Sequence, residues 1–176
     1  DVGLPGVDLA IKPVRSYVYG ALASHILGYV GAPDDIDKDE ARKFTFYQAD
    51  VEGKSNIEKT ADEYLRGKPG IRYLRRNAKG TIDGILREDP PQQGANVFLT
   101  IDARIQAITE EALRSVGRGA AVVVDPNNGE ILAMASVPSF DPNTFVPSIK
   151  AKDWAVLQKD EATPLVNRAV SGFPPG

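Results

Sequence analysis

The feature that most constrains the fold is a pair of short apolar runs, residues 119–124 and 130–136, separated by the loop Asp125-Pro126-Asn127-Asn128-Gly129. Apolar runs of this length, bounded by turn residues, are typical of strands, and the loop predicts a β-hairpin. Both strands are apolar on both faces, which predicts a sheet covered on both sides. We take Asp125 and Gly129 as structural residues of this turn.

A helix that begins at Asp102 is predicted just before this hairpin. The apolar run 97–101 predicts a short strand, after which the Asp102 carboxylate can accept hydrogen bonds from the first helical turn. The apolar residues that follow hold a 3.6-residue period, and they are Ile105, Ile108, Ala112, Leu113 and Val116. Beyond residue 138 we expect loops with two short helices, near 152–158 and 165–170.

The first half of the chain carries two helix signals that end in glycine. Residues 20–27 form a short apolar run that Gly28 closes. Ser55 and Glu58 match a capping box, in which each side chain bonds a backbone N–H that the first helical turn leaves free. Gly67 predicts the end of this second helix, whose apolar residues at helical spacing are Ile57, Ala61, Tyr64 and Leu65.

The remaining local signals are strands and loops. Residues 71–75 and 81–86 predict a second hairpin, and residues 7–14 predict an edge strand. The stretch 31–48, which is rich in acidic residues, is predicted to be an exposed loop. Residues 88–94, which contain Pro90-Pro91, predict a linker.

Composition excludes several classes of function. Hydrophobic residues make up 42% and charged residues 26% of the 176 residues, as in a globular chain of one or two domains. The net charge of −3 argues against a nucleic-acid partner. Cysteine is absent, so disulfides and thiolate metal sites are excluded. No apolar run approaches the roughly 20 residues that span a bilayer.

The residue patterns of a complete active site are missing. His25 is the only histidine, and it lies in an apolar run where a packed structural role is favoured over a Ser-His-Asp hydrolase. The acidic residues near positions 34–40 lack the spacing of a calcium loop, and no glycine-rich phosphate loop is present. We therefore predict no metal site and no cofactor, with an unrelated small hydrolase using His25 as an open alternative.

Several stretches resemble, in order, class B penicillin-binding proteins of the elongation type. The stretches are PVRSYVYG (13–20), ASHILGYVG (23–31), GKSNIE (53–58), LRGKPG (65–70), TID (100–102), AVVVDP (121–126), GEILAMAS (129–136), SFDPN (139–143) and NRA (167–169). The chain departs from the family pattern at Val18, where proline is frequent, and at Asn56, where glycine is usual. The match covers nearly the whole chain.

The resemblance implies a serine acyltransferase of the cell wall. The parent would be a peptidoglycan D,D-transpeptidase, whose serine attacks the D-Ala-D-Ala bond of a stem peptide and passes the acyl group to an amine. The family places that serine directly after the Pro174-Pro175-Gly176 run, so we expect both ends of the chain to lie inside a longer protein. Ser148-Ile149-Lys150 has its lysine two positions on, whereas the family's Ser-x-x-Lys motif needs three. We therefore expect no catalytic residue within the chain and no activity from it alone.

The resemblance also implies a fold and a set of structural residues. The expected class is α+β, with a dimerisation or pedestal domain at residues 1–95. The first helix and β-hairpin of a transpeptidase domain would follow at residues 96–176. Arg15 and Glu58 would pair at the centre of the pedestal, with Gly53 and Ser55 as structural residues beside them.

The implied partners are those of cell-wall synthesis. They are peptidoglycan stem peptides, β-lactams, a SEDS-type glycan polymerase and scaffold proteins of the elongation complex. The parent would face the periplasm, held in the inner membrane by an N-terminal helix absent from this chain. Apolar hairpin residues left uncovered predict self-association, and they are Val122, Val124, Ile131 and Met134. A division-type or sporulation-type protein and a stand-alone interaction module are the alternatives.

Overall fold

The computed structural model describes residues 14–35, 38–44 and 50–172. Helices and strands are mixed along this part of the chain, as the sequence predicts. The helices are α1 (Ser24–Leu27), α2 (Lys38–Ala41), α3 (Asn56–Thr60), α4 (Asp62–Arg66), α5 (Ala103–Val116) and α6 (Ala151–Lys159). The strands are β1 (Val30–Gly31), β2 (Glu52–Gly53), β3 (Ile71–Arg76), β4 (Ile82–Asp89), β5 (Gly119–Val124) and β6 (Ile131–Val137). A 3-10 helix covers Pro142–Phe145.

Within the described residues the strands form three antiparallel pairs, β1 with β2, β3 with β4 and β5 with β6. Both predicted hairpins are therefore present. In the β5–β6 hairpin, Gly119 pairs with Val137 and Val124 pairs with Ile131. The edge strand predicted at residues 7–14 lies, except for Val14, outside the described residues.

The turn between β5 and β6 is stabilised by its own side chains. Asp125 Oδ1 accepts hydrogen bonds from the backbone N–H of Asn127 at 2.8 Å and from its side-chain amide at 2.9 Å. Gly129 has a φ of +78°, a conformation that glycine adopts without the steric cost of a Cβ. The loop therefore closes for local reasons that the sequence displays.

Helix α5 begins as predicted but buries an unexpected face. Asp102 caps it by accepting hydrogen bonds from the N–H groups of Arg104 and Ile105. The buried residues are Gln106 and Glu110, at 0% and 2% exposure, while Ile108 is 72% exposed. Polar side chains occupy the interior because each has a fixed partner there, as described below.

The strand predicted at 97–101 is absent from the described structure. The segment makes only isolated bonds to β6: Asp102 N–H donates to the Leu132 carbonyl at 2.9 Å, and the Thr100 hydroxyl donates to the Ile131 carbonyl at 2.7 Å. Farther along, the Gln106 side chain accepts from Met134 N–H at 2.8 Å and donates to its carbonyl at 3.0 Å. Since a side chain satisfies these backbone groups, a strand cannot pair there.

Three predicted helices differ from the observed ones. The first starts only at Ser24 because Ala23 is left-handed, with a φ of +56°. The second is broken at Ala61 into α3 and α4, both of which contact β2. The one predicted at 165–170 is a series of turns, because the Ser136 hydroxyl and the Asn167 side chain take its backbone N–H groups.

The predicted linker is tied into the fold. Glu88 and Asp89 belong to β4, and Gln92 exchanges two backbone hydrogen bonds of 2.9 Å with Lys68. The predicted helix at 152–158 is confirmed as α6. The buried apolar core includes residues of both halves, namely Tyr17, Val30, Ala133, Ala135, Val137, Phe140 and Phe145.

Candidate functional site

The segment after α1 and the turn before α3 are packed directly against each other. Lys54 N–H donates to the Tyr29 carbonyl at 2.9 Å, which continues the pairing of β1 with β2. A Cβ added to Gly53 would lie 1.9 Å from the Glu58 carbonyl oxygen, and one added to Gly28 would lie 2.1 Å from the Ser55 carbonyl oxygen. Only glycine permits these two approaches.

Ser55 and Glu58 do not form the predicted capping box. Ser55 occupies the N-cap position of α3, but its side chain makes no capping hydrogen bond. Its Oγ instead accepts from Tyr29 N–H at 3.3 Å. Asn56 follows with a φ of +48°, a conformation that glycine adopts most easily and asparagine better than most other residues.

Arg15 and Glu58 lie together, with Arg15 Nε 3.2 Å from Glu58 Oε1. The Arg15 side chain is 31% exposed and that of Glu58 9%. Within the described structure, Arg15 Nε, Glu58 Oε2 and the Tyr17 hydroxyl lack an aligned hydrogen bond, so the contact is an ion pair by distance. Burial, followed by the nearby Glu58 charge, raises the pKa of Tyr17.

An aromatic cluster joins the first half of the chain to the second. Tyr29 stacks on Phe145 with ring centroids 3.9 Å apart, and His25 and Phe140 pack edge to face with centroids 5.4 Å apart. Trp154 of α6 extends the cluster, 6.3 Å from Phe145. The apolar residues of 140–154 therefore pack on the α1–β1 segment, which the sequence patterns did not indicate.

Three sets of hydrogen bonds reinforce this junction. Tyr17 exchanges two backbone bonds with the side chain of Asn143. Glu110 Oε1 accepts from Ala23 N–H at 2.8 Å, while its other oxygen accepts from Arg114. His25 makes the third set, with residues 164–167. The buried Glu110 carboxylate of α5 thus fixes the turn that leads into α1.

His25 is buried and its ring faces a backbone carbonyl. Its Nε2 lies 2.7 Å from the Pro164 oxygen, and since a carbonyl only accepts, Nε2 must carry the proton. Burial lowers the pKa of His25. No serine hydroxyl or carboxylate is hydrogen-bonded to the ring within the described residues, so the alternative of a hydrolase using His25 has no support in the geometry.

No group of metal-ligating side chains is assembled among residues 14–35, 38–44 and 50–172. Over the same residues, no helix is long and apolar enough to cross a membrane.

Comparison with known proteins gives two family matches. The model of the penicillin-binding protein dimerisation domain matches residues 2–99, and the model of the penicillin-binding protein transpeptidase domain matches residues 119–176. The peptidoglycan D,D-transpeptidase MrdA of Escherichia coli K12 is 39% identical over 97% of this chain. The chain spans 28% of the length of that relative.

Two solved structures are similar to the described fold. Penicillin-binding protein PBP2 of Helicobacter pylori, solved in a complex with MreC, matches with a TM-score of 0.68 and 36% identity, over 88% of this chain and 29% of that one. PBP2 of Pseudomonas aeruginosa, in complex with WCK 5153, matches with a TM-score of 0.63 and 33% identity, over 91% of this chain and 30% of that one.

Proposed function

The chain belongs to the penicillin-binding protein family, and on that premise we propose that it is part of an elongation-type peptidoglycan D,D-transpeptidase. The observation that carries this proposal is the 39% identity to MrdA, which extends over 97% of the chain through both family regions. The hydrogen-bonded junction supports it, because it joins the two regions into one structural unit.

The proposed chemistry belongs to the parent protein. A serine directly after Pro174-Pro175-Gly176 attacks the carbonyl of the D-Ala-D-Ala bond and forms an ester, while the terminal D-alanine leaves. An amine of a neighbouring stem peptide then attacks the ester, which forms the cross-link and releases the serine. β-Lactams acylate the same serine. We propose that this chain positions the reacting parts and has no activity alone.

We propose a pedestal at residues 1–95 and the opening of the transpeptidase domain at residues 96–176. Gly53, Ser55 and the Arg15–Glu58 pair would stabilise the pedestal. Asp125 and Gly129 would shape the first hairpin of the transpeptidase domain. The support is local: a partly buried ion pair and two close glycine contacts in the first region, and a turn closed by its own side-chain hydrogen bonds in the second.

The proposed partners follow from the relatives. H. pylori PBP2 is solved with MreC, which supports a scaffold-protein partner for this chain. A SEDS-type polymerase, stem peptides and β-lactams rest on the family resemblance. We propose an extracytoplasmic location, with the parent anchored in the inner membrane by a helix outside this chain.

Self-association of the isolated chain stays a prediction. Val122 and Val124 are 47% and 48% exposed on β5, whereas Ile131 and Met134 are half-buried. The expected cover on both faces is thus missing from β5 within the described residues. Light scattering tests the prediction, and a monodisperse monomer would contradict it.

Labelling with a fluorescent penicillin tests the proposed function. The full-length protein that carries this sequence should be labelled, and label should be lost when the serine after Gly176 is replaced by alanine. The 176-residue chain should remain unlabelled. Labelling of the short chain, or none of the full-length protein, would contradict the proposal.

A further inference from the structure

The loop at residues 162–169 is held by side chains in addition to a backbone hydrogen bond from Val166 N–H to the Thr163 carbonyl at 3.1 Å. The Arg168 guanidinium donates to the carbonyls of Ala162, Thr163 and Val166 and to the Thr163 hydroxyl. Ser136 Oγ of β6 donates to the Val166 carbonyl at 3.1 Å and accepts from Arg168 N–H at 3.0 Å. The loop is therefore organised from within and held to the hairpin on one side.

His25 holds the same loop from the other side. Its ring N–H donates to the Pro164 carbonyl, and its own carbonyl accepts from the Asn167 side-chain amide at 3.1 Å. That carbonyl also accepts from the Asn56 amide at 3.0 Å, which connects α1 to α3. His25, which belongs to the first family region, is thus hydrogen-bonded to the loop at both Pro164 and Asn167.

Burial makes the position of the loop depend on these bonds. His25 and Pro164 are both buried, so water cannot easily replace a lost partner of the Pro164 carbonyl. An unpaired buried carbonyl is costly, and the backbone would move to find another donor. The position of the loop therefore depends on the His25 ring as well as on Ser136.

We propose that His25 is a positioning residue for acyl transfer: through Pro164 and Asn167, it places the segment that leads in sequence to Pro174-Pro175-Gly176. This inference rests on the proposed function, because only then does a nucleophilic serine follow that run. His25 is proposed to touch neither substrate nor serine. Its effect is to fix the approach of the chain to the reacting residue.

Two substitutions separate the hydrogen bond of His25 from its packing. His25→Phe keeps a ring against Phe140 but has no donor for the Pro164 carbonyl. His25→Gln loses the ring but has an amide N–H that can take the place of Nε2. If the bond positions the loop, the glutamine variant retains the function and the phenylalanine variant loses it, although phenylalanine is the better match in shape.

The test uses the full-length protein that carries this sequence, with all rates measured well below the melting temperature of each variant. We expect the acylation rate with fluorescent penicillin to fall about tenfold or more in His25→Phe, since small misplacements of reacting groups cost up to about a hundredfold. We expect His25→Gln to retain a rate close to wild type. Lys79→Gln, at the exposed tip of the β3–β4 hairpin, is the control.

Hydrogen exchange supplies a second readout that does not depend on activity. The Arg168 and Ala169 amides are bonded to Ser136 Oγ and Asn167 Oδ1, and they should exchange faster in His25→Phe than in His25→Gln. Asn167→Asp keeps the acceptor for Ala169 but removes the donor to His25. Asn167→Asp should slow acylation, as His25→Phe does. If His25→Phe does not fold, Asn167→Asp takes its place in the test.

Three results would overturn the inference. The first is unchanged acylation in His25→Phe and Asn167→Asp, and the second is an equal loss in His25→Phe and His25→Gln that follows their melting temperatures. The third is a wild-type protein that fluorescent penicillin does not acylate. That result removes the proposed function as well, and the exchange difference then shows whether His25 holds the loop independently of catalysis.

Discussion

Tyr17 and Asn143 are 126 residues apart in sequence and exchange two hydrogen bonds, each 2.9 Å long. Tyr17 N–H donates to Asn143 Oδ1, and Asn143 Nδ2 donates to the Tyr17 carbonyl. The side-chain amide thus pairs with the backbone as a neighbouring strand would. The pairing fastens the start of the described chain to the 3-10 helix.

Removing this amide should loosen the junction. We expect Asn143→Ala to lower the free energy of unfolding by about 2 kcal/mol, since the two part-buried bonds to Tyr17 are lost at about 1 kcal/mol each. The exposed bond of the same amide to Asp141 is also lost, and Asn127 makes the corresponding bond to Asp125. Urea unfolding measures the change. Asn127→Ala is the matched control in the exposed hairpin turn and should change stability by less than about 0.5 kcal/mol. Equal effects of the two would show that the Tyr17 pairing adds nothing.

Loss of the Glu58 carboxylate should destabilise the pedestal. Glu58→Ala leaves the Arg15 charge without its partner, and removal of one member of a buried pair costs about 3–5 kcal/mol. Because Arg15 is 31% exposed, we expect the lower end, about 3 kcal/mol. Asp83→Ala breaks the exposed pair with Arg75 and should cost less than about 1 kcal/mol. An unchanged melting temperature in Glu58→Ala would contradict the role of the pair.

Stability should fall as the pH is lowered through the range of histidine. Burial, aided by the Arg168 charge, lowers the pKa of His25, although the Pro164 bond and the Glu110 carboxylate act in the opposite direction. The unfolded chain, with a histidine pKa near 6.5, therefore binds the proton first. The contribution of His25 is complete above pH 6.5 and declines below it, until the pH reaches the folded pKa.

The measurement is the free energy of unfolding against pH for wild type and His25→Gln. The difference between the two slopes isolates the histidine from the carboxylates that also titrate in acid. We expect wild type to lose more stability than His25→Gln just below pH 6.5. Parallel curves would show that the pKa of His25 is the same in the folded and unfolded chain.

A single methyl group at Gly53 should be more disruptive than its size suggests. The Cβ of Gly53→Ala would lie 1.9 Å from the Glu58 carbonyl oxygen and 2.7 Å from the Lys59 nitrogen, both of them backbone atoms. We expect a loss of about 3 kcal/mol or more, at the upper end for overpacking. Gly172→Ala, where nothing lies within 4 Å of the added atom, should leave thermal unfolding unchanged. Similar melting curves for the two variants would refute the steric argument.

Local signals predicted the parts of the fold that local contacts build. Asp102 caps α5, and Asp125 with Gly129 shapes the turn of the β5–β6 hairpin, because each acts on residues within five positions of itself. The candidate junction was not predicted. Gln106 bonds a residue 28 positions away and His25 bonds one 139 positions away, and no periodicity encodes such partners.

The same distinction explains the errors. Ser55 and Glu58 have the spacing of a capping box, but their side chains have other partners. Ser55 Oγ accepts a hydrogen bond from Tyr29 N–H, and Glu58 pairs with Arg15. The sequence analysis assigned Glu110 no role, yet three donors surround its carboxylate. The i, i+4 spacing of Glu110 and Arg114 predicts their ion pair but gives no indication that the carboxylate is buried.

The Gln106 side chain determines at which edge of the β5–β6 sheet a further strand can pair. By satisfying both backbone groups of Met134, it blocks strand addition at the outer edge of β6. A further strand can therefore be added only beside β5, the strand whose Val122 and Val124 remain uncovered in the described part of the chain. A strand of the same protein and a strand of a second copy would therefore compete to pair with β5. Whether the sheet extends within one molecule or between two copies depends on which strand pairs first.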